Sequence, residues 1–534
     1  MDTKKTKIAI GALALVCLIL TFTLIGVAVN KKNSANDQNG GSFDFSEVCN
    51  SNECKAVEIL TTDERLKEQS GAMKKANTFY DSCTALRIYV LYKQKIHNFL
   101  SDKNDIDALQ ELTDVMTENQ DFPIFNENWN EDSFNWQSSY VYSDTNFGEQ
   151  SFFNYTIDSF TRNASYIQIT SPQYFLIAHI TEDPRLSFKE KTDADETFRK
   201  TMKAYIQVLG ITSSTTLSDN DIDNILDDVI SFEKQLVRIG VPYYESIKES
   251  NKVEVNFTDV NAKFPDLNLE NLLTQLFNTV NIKLNKNDTI QISDVTYFEQ
   301  LGNVLKLTSK KTLANYMKLN ILNSIAAIPI SATILGLEPV QKAILCTTLT
   351  EQVFGLALSR FYVKYYLQDS TVQEMKAFVT ELNRMISYIA VPSWVATDDD
   401  LDKVYGDMSI MQNYKFINNQ RTAIGWLKKK LLKQIRPQNE SIIDILKGNP
   451  SEVNAFNAFM ENIFRVKIGI LNQPFYYHNA PIGVNFGSIG YVLGHEILHG
   501  FDNEGAQHDY KGHKKMWWSN ETWEVYQKKV KCFV

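Results

Sequence analysis

The sequence predicts a mainly α-helical protein, with a small α+β unit near the C-terminus and one transmembrane helix at the N-terminus. The chain has 534 residues, of which 43% are hydrophobic, so it can bury a large core. Only 22 glycines and 12 prolines occur, which favours helices over β-sandwiches. Apolar residues also recur at helical spacing along much of the chain.

The charge of the chain limits the partners that it can bind. It carries 54 Lys and Arg against 64 Asp and Glu, a formal net charge of -10. Binding to a phosphate backbone requires clustered positive charge. The composition therefore argues against nucleic acid as a partner.

The first element is an apolar run over residues 8–29 without a charged residue. It can cross a hydrocarbon core of about 30 Å as a helix, and it exceeds the roughly 7–15 apolar residues of a signal peptide. Lysines precede it within residues 1–7 and follow it at Lys31 and Lys32. We expect an uncleaved anchor over 8–29 with residues 1–7 in the cytoplasm. A cleaved signal peptide is the alternative.

Residues 30–47 are rich in Asn, Ser, Gly and Asp, which predicts a flexible stalk. Cys49 and Cys54 follow as a C-x4-C pair, which suits a small disulfide loop in an oxidising compartment. A zinc site is the weaker alternative, because no second cysteine pair or nearby histidine completes four ligands. Acceptor sequences for N-linked glycans occur at Asn154, Asn163, Asn256, Asn287, Asn439 and Asn520. We expect a glycosylated extracellular domain at the plasma membrane.

Residues 48–437 predict one large helical domain. One helical stripe comprises Ile222, Leu226, Val229, Ile230, Leu236 and Val237. Gly240 is placed to end that helix. A capping box of Thr371 and Glu374 opens a second stripe, which runs from Val372 to Ile386. We interpret both stripes as core.

Residues 452–534 predict the α+β unit, after a polar stretch from Gln438 to Ser451. The segments Val453–Phe456 and Ile463–Ile468 are short and rich in β-branched and aromatic residues, as strands are. Ser488 is placed to cap the helix that follows.

That helix contains the motif His-Glu-x-x-His at residues 495–499. Residues four apart lie on one face of a helix, so His495 and His499 can both reach one Zn²⁺ ion at about 2.0–2.1 Å. Glu496 lies next to this pair and is expected to act as general base on the attacking water. A chance match on a helical protein is the alternative. The other histidines, at 97, 179, 478, 508 and 513, are expected to be structural or on the surface.

The third zinc ligand separates the classes of zinc peptidase. A metzincin requires glycine at 502 and histidine at 505, but the chain has Asp502 and Gly505, which excludes that class. In the class with a glutamate ligand, the downstream candidates are Glu504, Glu521 and Glu524. Glu504 is too close along the chain to fold back, whereas the other two lie in a plausible helix.

The C-terminal residues resemble the neprilysin and endothelin-converting enzyme family of zinc metallopeptidases. The matching blocks are Asn454 to Phe456, Gly469 to Tyr476, Asn485 to Gly490 and Gly494 to Asp502, followed by Gly505, Asp509, Gly512, Trp517, Trp518 and Cys532. The resemblance extends more thinly to Cys49, Cys54, Cys83 and Cys346. It implies a type II membrane protein with two largely helical lobes around a closed cavity and a thermolysin-like zinc site. It also implies cleavage of short peptides before a bulky apolar residue.

The family pattern also implies roles for single residues. Asn454 and Ala455 would hold the substrate backbone by adding a peptide strand to an edge. The next-but-one residue, Asn457, departs from the pattern, which has tyrosine there. Ile470, Phe475, Tyr491 and Val492 match positions that wall the pocket for the residue after the cut, although all four could be core.

The resemblance further implies that the chain is truncated at its C-terminus. The family's Glu-Asn-x-x-Asp helix, with the third zinc ligand, would lie beyond Val534. The partners of Cys83 and Cys532 would lie there too, and the usual partner of Cys346 is absent. We therefore expect weak zinc binding and little or no hydrolysis. A non-catalytic, membrane-anchored peptide-binding protein is the alternative, and a homodimer stays open.

Overall fold

A computed structural model gives the fold of this chain. It describes residues 60, 63, 65, 70–85, 103–118, 122–126, 128–158, 165–172, 175–183, 185–213, 217–240, 251–326, 339–365, 386–389, 397–409, 415–436, 452–458, 463–509 and 515–531. The expected anchor and stalk, the pair Cys49 and Cys54, and the capping box at Thr371 lie outside these residues.

Helices dominate the described residues before 437, as the sequence predicts. The α-helices are α1 (Gly71–Ala85), α2 (Lys103–Thr117), α3 (Trp136–Phe147), α4 (Ala178–Thr181), α5 (Phe188–Ser213), α6 (Asp219–Ile239), α7 (Val260–Lys263), α8 (Leu269–Asn278), α9 (Val295–Leu307), α10 (Lys310–Ala326), α11 (Pro339–Tyr365), α12 (Asp398–Tyr405) and α13 (Phe416–Lys433). Within this region, 3₁₀ turns lie at Pro123–Phe125, Glu131–Ser133 and Phe257–Asp259.

Helix α6 confirms the first predicted stripe. Its buried face includes Ile222, Leu226 and Leu236, and Gly240 follows its last residue. Its start has a capping box that the sequence reading did not identify. The Ser218 hydroxyl accepts from the Asp221 N–H at 3.2 Å, and the Asp221 carboxylate accepts from the Ser218 N–H at 3.2 Å.

A four-stranded sheet inside the helical region was not predicted. Its strands are β1 (Asn154–Asp158), β2 (Tyr166–Thr170), β3 (Lys252–Asn256) and β4 (Thr289–Ser293), in the order β1-β2-β4-β3. Only the β2 and β4 pair is parallel. The central strands bury alternate isoleucines, for example Ile167 and Ile290. Five-residue strands carry too short an alternation to stand out among long helices.

One large hydrophobic core joins the helical region, and aromatic rings fill much of it. Phe152 is fully buried and contacts the rings of Trp136, Phe232 and Tyr316. Helices α1 and α11 also meet in this core.

A disulfide between Cys83 and Cys346 corrects the expectation that both cysteines lack a partner in this chain. The two are fully buried where α1 packs against α11, with Cα atoms 5.8 Å apart. That separation lies within the range of disulfides. The pairing follows from tertiary packing, which spans 263 residues of sequence.

The α+β unit contains β6 (Ala455–Ala458), β7 (Ile463–Val466), α14 (Ile482–Gly487), α15 (Ile489–His499) and α16 (Asn520–Val530), with 3₁₀ turns at Ile468–Ile470 and Gly505–Gln507. The two predicted strands are confirmed. They form a sheet of order β5-β7-β6 with β5 (Ile386–Ile389), which is parallel to β7. Ile386 therefore begins a strand, where the sequence predicts the end of a helix.

A second, smaller core lies between this sheet and α15. Its buried residues are Ala455, Val466, Ile468, Ile470, Leu471, Tyr476, Ile489 and Leu493. Tyr362 and Val363 of α11 pack against it, so α11 contacts both cores. This packing places α15 beside β6.

No helix in the described part of the chain is long and apolar enough to cross a membrane. The anchor proposed at residues 8–29 is not included in that statement, because it lies outside the described ranges.

Candidate metal centre

Helix α15 carries the His-Glu-x-x-His motif on its last turns. Ile489, Leu493 and Glu496 form its buried face. Ser488 occupies the N-cap position, but its hydroxyl donates to the Val484 carbonyl at 2.9 Å and does not cap α15. Burial against β6, rather than a side-chain cap, fixes this helix.

The structure brings His495 and His499 together. Their Nε2 atoms are 3.0 Å apart, and their ring centroids 4.5 Å. Two zinc–nitrogen bonds of about 2.0–2.1 Å can span this separation, so one ion can bind both rings. Within the described residues, the group that could hold a metal ion consists of His495, Glu496 and His499, with ligand atoms within 4.8 Å of one another. The donor set fits zinc.

Glu496 is the buried member of this group, with 6% of its surface exposed. Burial raises the pKa of its carboxyl group, and the two histidines and a hydrogen bond from the Asn457 N–H oppose that rise. A carboxylate with a raised pKa is a stronger base, as the predicted role requires.

Asp502 contacts the proposed zinc ligand His499, and the sequence did not predict this contact. Its Oδ2 lies 2.8 Å from Nδ1 of His499, and its Oδ1 accepts from the N–H groups of Glu504 and Gly505. A carboxylate on the far nitrogen of a metal-binding histidine fixes the ring and its tautomer. The only sequence signal is an acidic residue three positions after His499.

Among the described residues, no carboxylate other than Glu496 lies where it could serve as the third zinc ligand beside His495 and His499. Glu504 lies in the loop after α15, and Glu521 and Glu524 are exposed on α16. None of the three belongs to the group around His495. The possibility that Glu521 or Glu524 returns to the ion is therefore not realised in this structure.

The proposed substrate residues lie at the start of β6, which is an edge strand of its sheet. Asn454 is exposed just before the strand, and Ala455 is buried in the small core. The Asn454 carbonyl accepts from the Lys467 N–H at 3.1 Å, so β7 holds this end of the strand.

The four proposed pocket residues divide into two groups. Ile470 is core, and Phe475 and Val492 pack partly buried against it. Tyr491 is 74% exposed. The alternative that all four are core is wrong for Tyr491.

Comparison with known proteins decides the family. The sequence model of Peptidase family M13 matches residues 28–389 with its N-terminal part and 454–534 with its second part. The first match alone covers more than half of the 534 residues. The chain belongs to peptidase family M13. The resemblance to neprilysin and the endothelin-converting enzymes is thereby confirmed.

Curated relatives of this M13 protein are distant in sequence. Neprilysin-11 of Caenorhabditis elegans is 24% identical over 482 residues, which cover 81% of this chain and 56% of that protein. Endothelin-converting enzyme 1 of Rattus norvegicus is 25% identical over 361 residues, which cover 60% of this chain and 47% of that protein. The chain spans about half the length of the curated relatives it matches.

Solved structures share the fold. PEPO from Lactobacillus rhamnosis has a TM-score of 0.64 at 14% identity, over 96% of this chain and 80% of that one. Zinc metalloprotease ZMP1 of Mycobacterium tuberculosis, in complex with an inhibitor, has a TM-score of 0.65 at 13% identity, over 93% and 75%. These likenesses support the mainly helical fold class.

Proposed function

We propose that this M13 protein is a zinc metalloendopeptidase that hydrolyses peptide bonds of short extracellular peptides. His495 and His499 would hold the zinc ion, and Glu496 would act as general base. The proposal rests on one observation above all: two imidazole nitrogens lie 3.0 Å apart, and the ligand atoms of both rings lie within 4.8 Å of a buried carboxylate. The structural neighbour ZMP1 is a zinc metalloprotease, which supports the choice of metal.

The chain's own residues account for the proton transfers. A zinc ion at this site would polarise the substrate carbonyl and acidify water. Glu496 would take the proton from the attacking water and pass it to the leaving amine. Asp502 would hold His499 in the tautomer that presents Nε2.

The edge strand β6 would bind the substrate backbone. A peptide in extended conformation can add to an open strand edge through main-chain hydrogen bonds. The exposed Asn454 amide and the Ala455 main chain would position that peptide beside α15. Tyr491, exposed on α15, would contact the residue after the cut.

We further propose that residues 8–29 anchor the protein as a single-pass type II protein of the plasma membrane. The uncharged run and its flanking lysines support this topology. Two sequons, at Asn256 and Asn287, are exposed near the same end of the four-stranded sheet, where Asn256 pairs with Thr289. Both are accessible to glycosylation.

The second candidate function is peptide binding without catalysis. It is favoured by the composition of the candidate metal site. The described residues contribute His495, His499 and Glu496 to this site, but no further carboxylate that could serve as the third zinc ligand. Two protein ligands hold zinc more weakly than three. The two functions differ in whether zinc is retained and a peptide bond is cut.

Zinc content and peptide cleavage test the proposal together. The full chain would be purified from a secretory host, its zinc measured by mass spectrometry, and hydrolysis followed with quenched-fluorescence peptides. The hydrolase function predicts zinc near one equivalent, and a loss of about 10²–10⁴-fold in kcat for Glu496→Gln. Weak zinc binding with little or no hydrolysis, the outcome expected from the sequence, would count against it. Glu254→Gln, an exposed carboxylate on β3, is the matched control and should retain activity. Peptide binding without cleavage would favour the second function.

A further inference from the structure

Asn457 contacts the proposed general base through two separate hydrogen bonds. Its main-chain N–H donates to Oε2 of Glu496 at 2.9 Å, and its side-chain Nδ2 donates to the Glu496 carbonyl oxygen at 2.8 Å. One residue of β6 therefore holds both the side chain and the main chain of Glu496. Among the described residues, Asn457 is the one that bonds to this carboxylate.

The side-chain bond also compensates for the way α15 ends. The last carbonyl groups of a helix lack partners within it. Here the N–H groups of Gly500, Phe501 and Asp502 bond three residues back, to Ile497, Leu498 and His499. The Glu496 carbonyl is therefore not taken by Gly500, and the Asn457 amide bonds to it instead.

The length of the asparagine side chain suits this contact. The Asn457 N–H lies 2.9 Å from Oε2 of Glu496, so the main chain of Asn457 is close to α15. A short side chain therefore suffices to reach the Glu496 carbonyl oxygen. A Cβ atom at Gly500 would lie 3.7 Å from Nδ2, so the amide sits over the last turn of α15. A tyrosine, the family residue here, carries its hydroxyl beyond a ring, too far from its own main chain to make the same bond.

We propose that Asn457 is a positioning residue that fixes Glu496 relative to the substrate strand β6. Ala455 lies on the same strand and Asn454 directly precedes it, so the bonds couple the proposed site of the peptide to the site of the base. The main-chain bond occupies Oε2, so Oε1 of Glu496 would be the oxygen that accepts from the attacking water. This inference rests on the proposed hydrolase function for its effect on turnover, whereas the contact itself does not.

The test uses two variants. Asn457→Ala removes the side-chain donor and keeps the main-chain N–H, and Asn457→Asp keeps the shape of the side chain but places an acceptor next to the Glu496 carbonyl oxygen. Asn320→Ala is the matched control, because Nδ2 of Asn320 donates to the Tyr316 carbonyl at the same 2.8 Å in the distant helix α10. Hydrogen exchange would be measured on the metal-free full chain, and kcat and KM on the zinc-loaded chain.

We expect peptides that cover residues 455–458 and 494–500 to exchange about tenfold faster in both Asn457 variants. We expect kcat to fall about tenfold or more, with KM within about twofold, because misplacement of a catalytic group lowers turnover rather than binding. Asn320→Ala should change neither quantity in this region. Slow hydrogen exchange in helix α6 of each variant would show that the chain folds. If Asn457→Asp does not fold, the result for Asn457→Ala decides.

Unchanged exchange in the Asn457 variants would overturn the inference, and so would faster exchange with an unchanged kcat. A wild-type chain that binds zinc but cuts no peptide would refute the proposed function instead. In that case exchange alone decides whether Asn457 holds Glu496.

Discussion

The helical region (residues 70–436) and the site region (residues 452–531) bury their apolar side chains to different extents. The helical region has one large continuous core, whereas the site region has a core of eight residues. Among the described residues, twelve large apolar side chains are exposed, and ten of them lie between Val453 and Val525. The proposed chemistry thus resides in the part of the chain with less burial to stabilise it.

The two regions also differ in their buried charges. In the helical region, the fully buried Asp144 pairs with Lys428 at 2.5 Å, and Glu233 accepts three main-chain N–H groups. In the site region, the buried Glu496 carboxylate receives one N–H, from Asn457. The buried carboxylates of the helical region are thus paired with several donors, whereas the Glu496 carboxylate has one protein donor and can accept further hydrogen bonds from a ligand.

The largest expected effect compares the loss of an aromatic ring in the two regions. Phe152→Ala removes a fully buried ring from the helical region and should cost about 3–5 kcal/mol of unfolding free energy. Phe486→Ala, in the site region, removes a ring that is 44% exposed and should cost about 0.5 kcal/mol or less. Denaturant unfolding followed by circular dichroism measures both. Equal losses of unfolding free energy in the two variants would show that the difference in ring burial does not determine their stability.

The second effect concerns the metal. Asp502→Asn removes the negative charge behind His499 and should weaken zinc binding about 10–100-fold. Competition with a coloured chelator measures the affinity. Asp228→Asn, at an exposed position on α6, is the control and should leave affinity unchanged. Equal affinities in wild type and Asp502→Asn would mean that Asp502 does not support the ligand.

The third effect is a pH dependence of stability that arises from a carboxyl group in the helical region. Burial raises the pKa of Glu149 from 4.5 to about 7, against a hydrogen bond from Ser324 and the charge of Lys428. The folded state then binds more protons than the unfolded state between about pH 4.5 and 7, so stability is full below this window and is lost as pH rises through it.

Glu149→Gln should remove this loss, and its stability should fall by about 2 kcal/mol less than that of wild type between pH 5 and 8. Thermal unfolding across that pH range measures the difference. Glu254→Gln, at an exposed position on β3, should follow wild type. Parallel pH profiles for wild type and Glu149→Gln would contradict the prediction.

The smallest expected change in stability tests the exposed apolar surface of the site region. Leu498→Gln alters a side chain that is 67% exposed and should change stability by less than about 0.5 kcal/mol. It should nevertheless lower the fluorescence of an apolar dye, because Leu498 is one of the ten exposed large apolar residues of the site region. Leu307→Gln should leave the dye signal unchanged, because Leu307, 77% exposed, lies in the helical region, where Phe188 is the other exposed large apolar residue among those described.

The sequence predicts those features that depend on local pattern. Apolar spacing predicts α6, and the spacing of His495 and His499 predicts that their side chains meet. The four-stranded sheet and the Cys83–Cys346 disulfide could not be predicted in this way, because their partners lie far apart along the chain.

The roles of Asn457 and Asp502 have a similar explanation. Each is defined by a contact with α15 that depends on where a strand or loop passes. An asparagine in a strand and an aspartate in a loop have no distinctive pattern of their own. Local periodicity therefore identifies the metal-binding pair but not the residues that orient it.

Strand β5 has a practical consequence for work on fragments. By sequence it precedes the site region by more than sixty residues, yet it completes the sheet by pairing with β7. A fragment that begins at residue 452 would expose the hydrogen-bonding edge of β7, and such edges recruit other chains. Expressed in isolation, this fragment should self-associate, whereas a chain that also contains residues 386–389 has this edge of β7 covered.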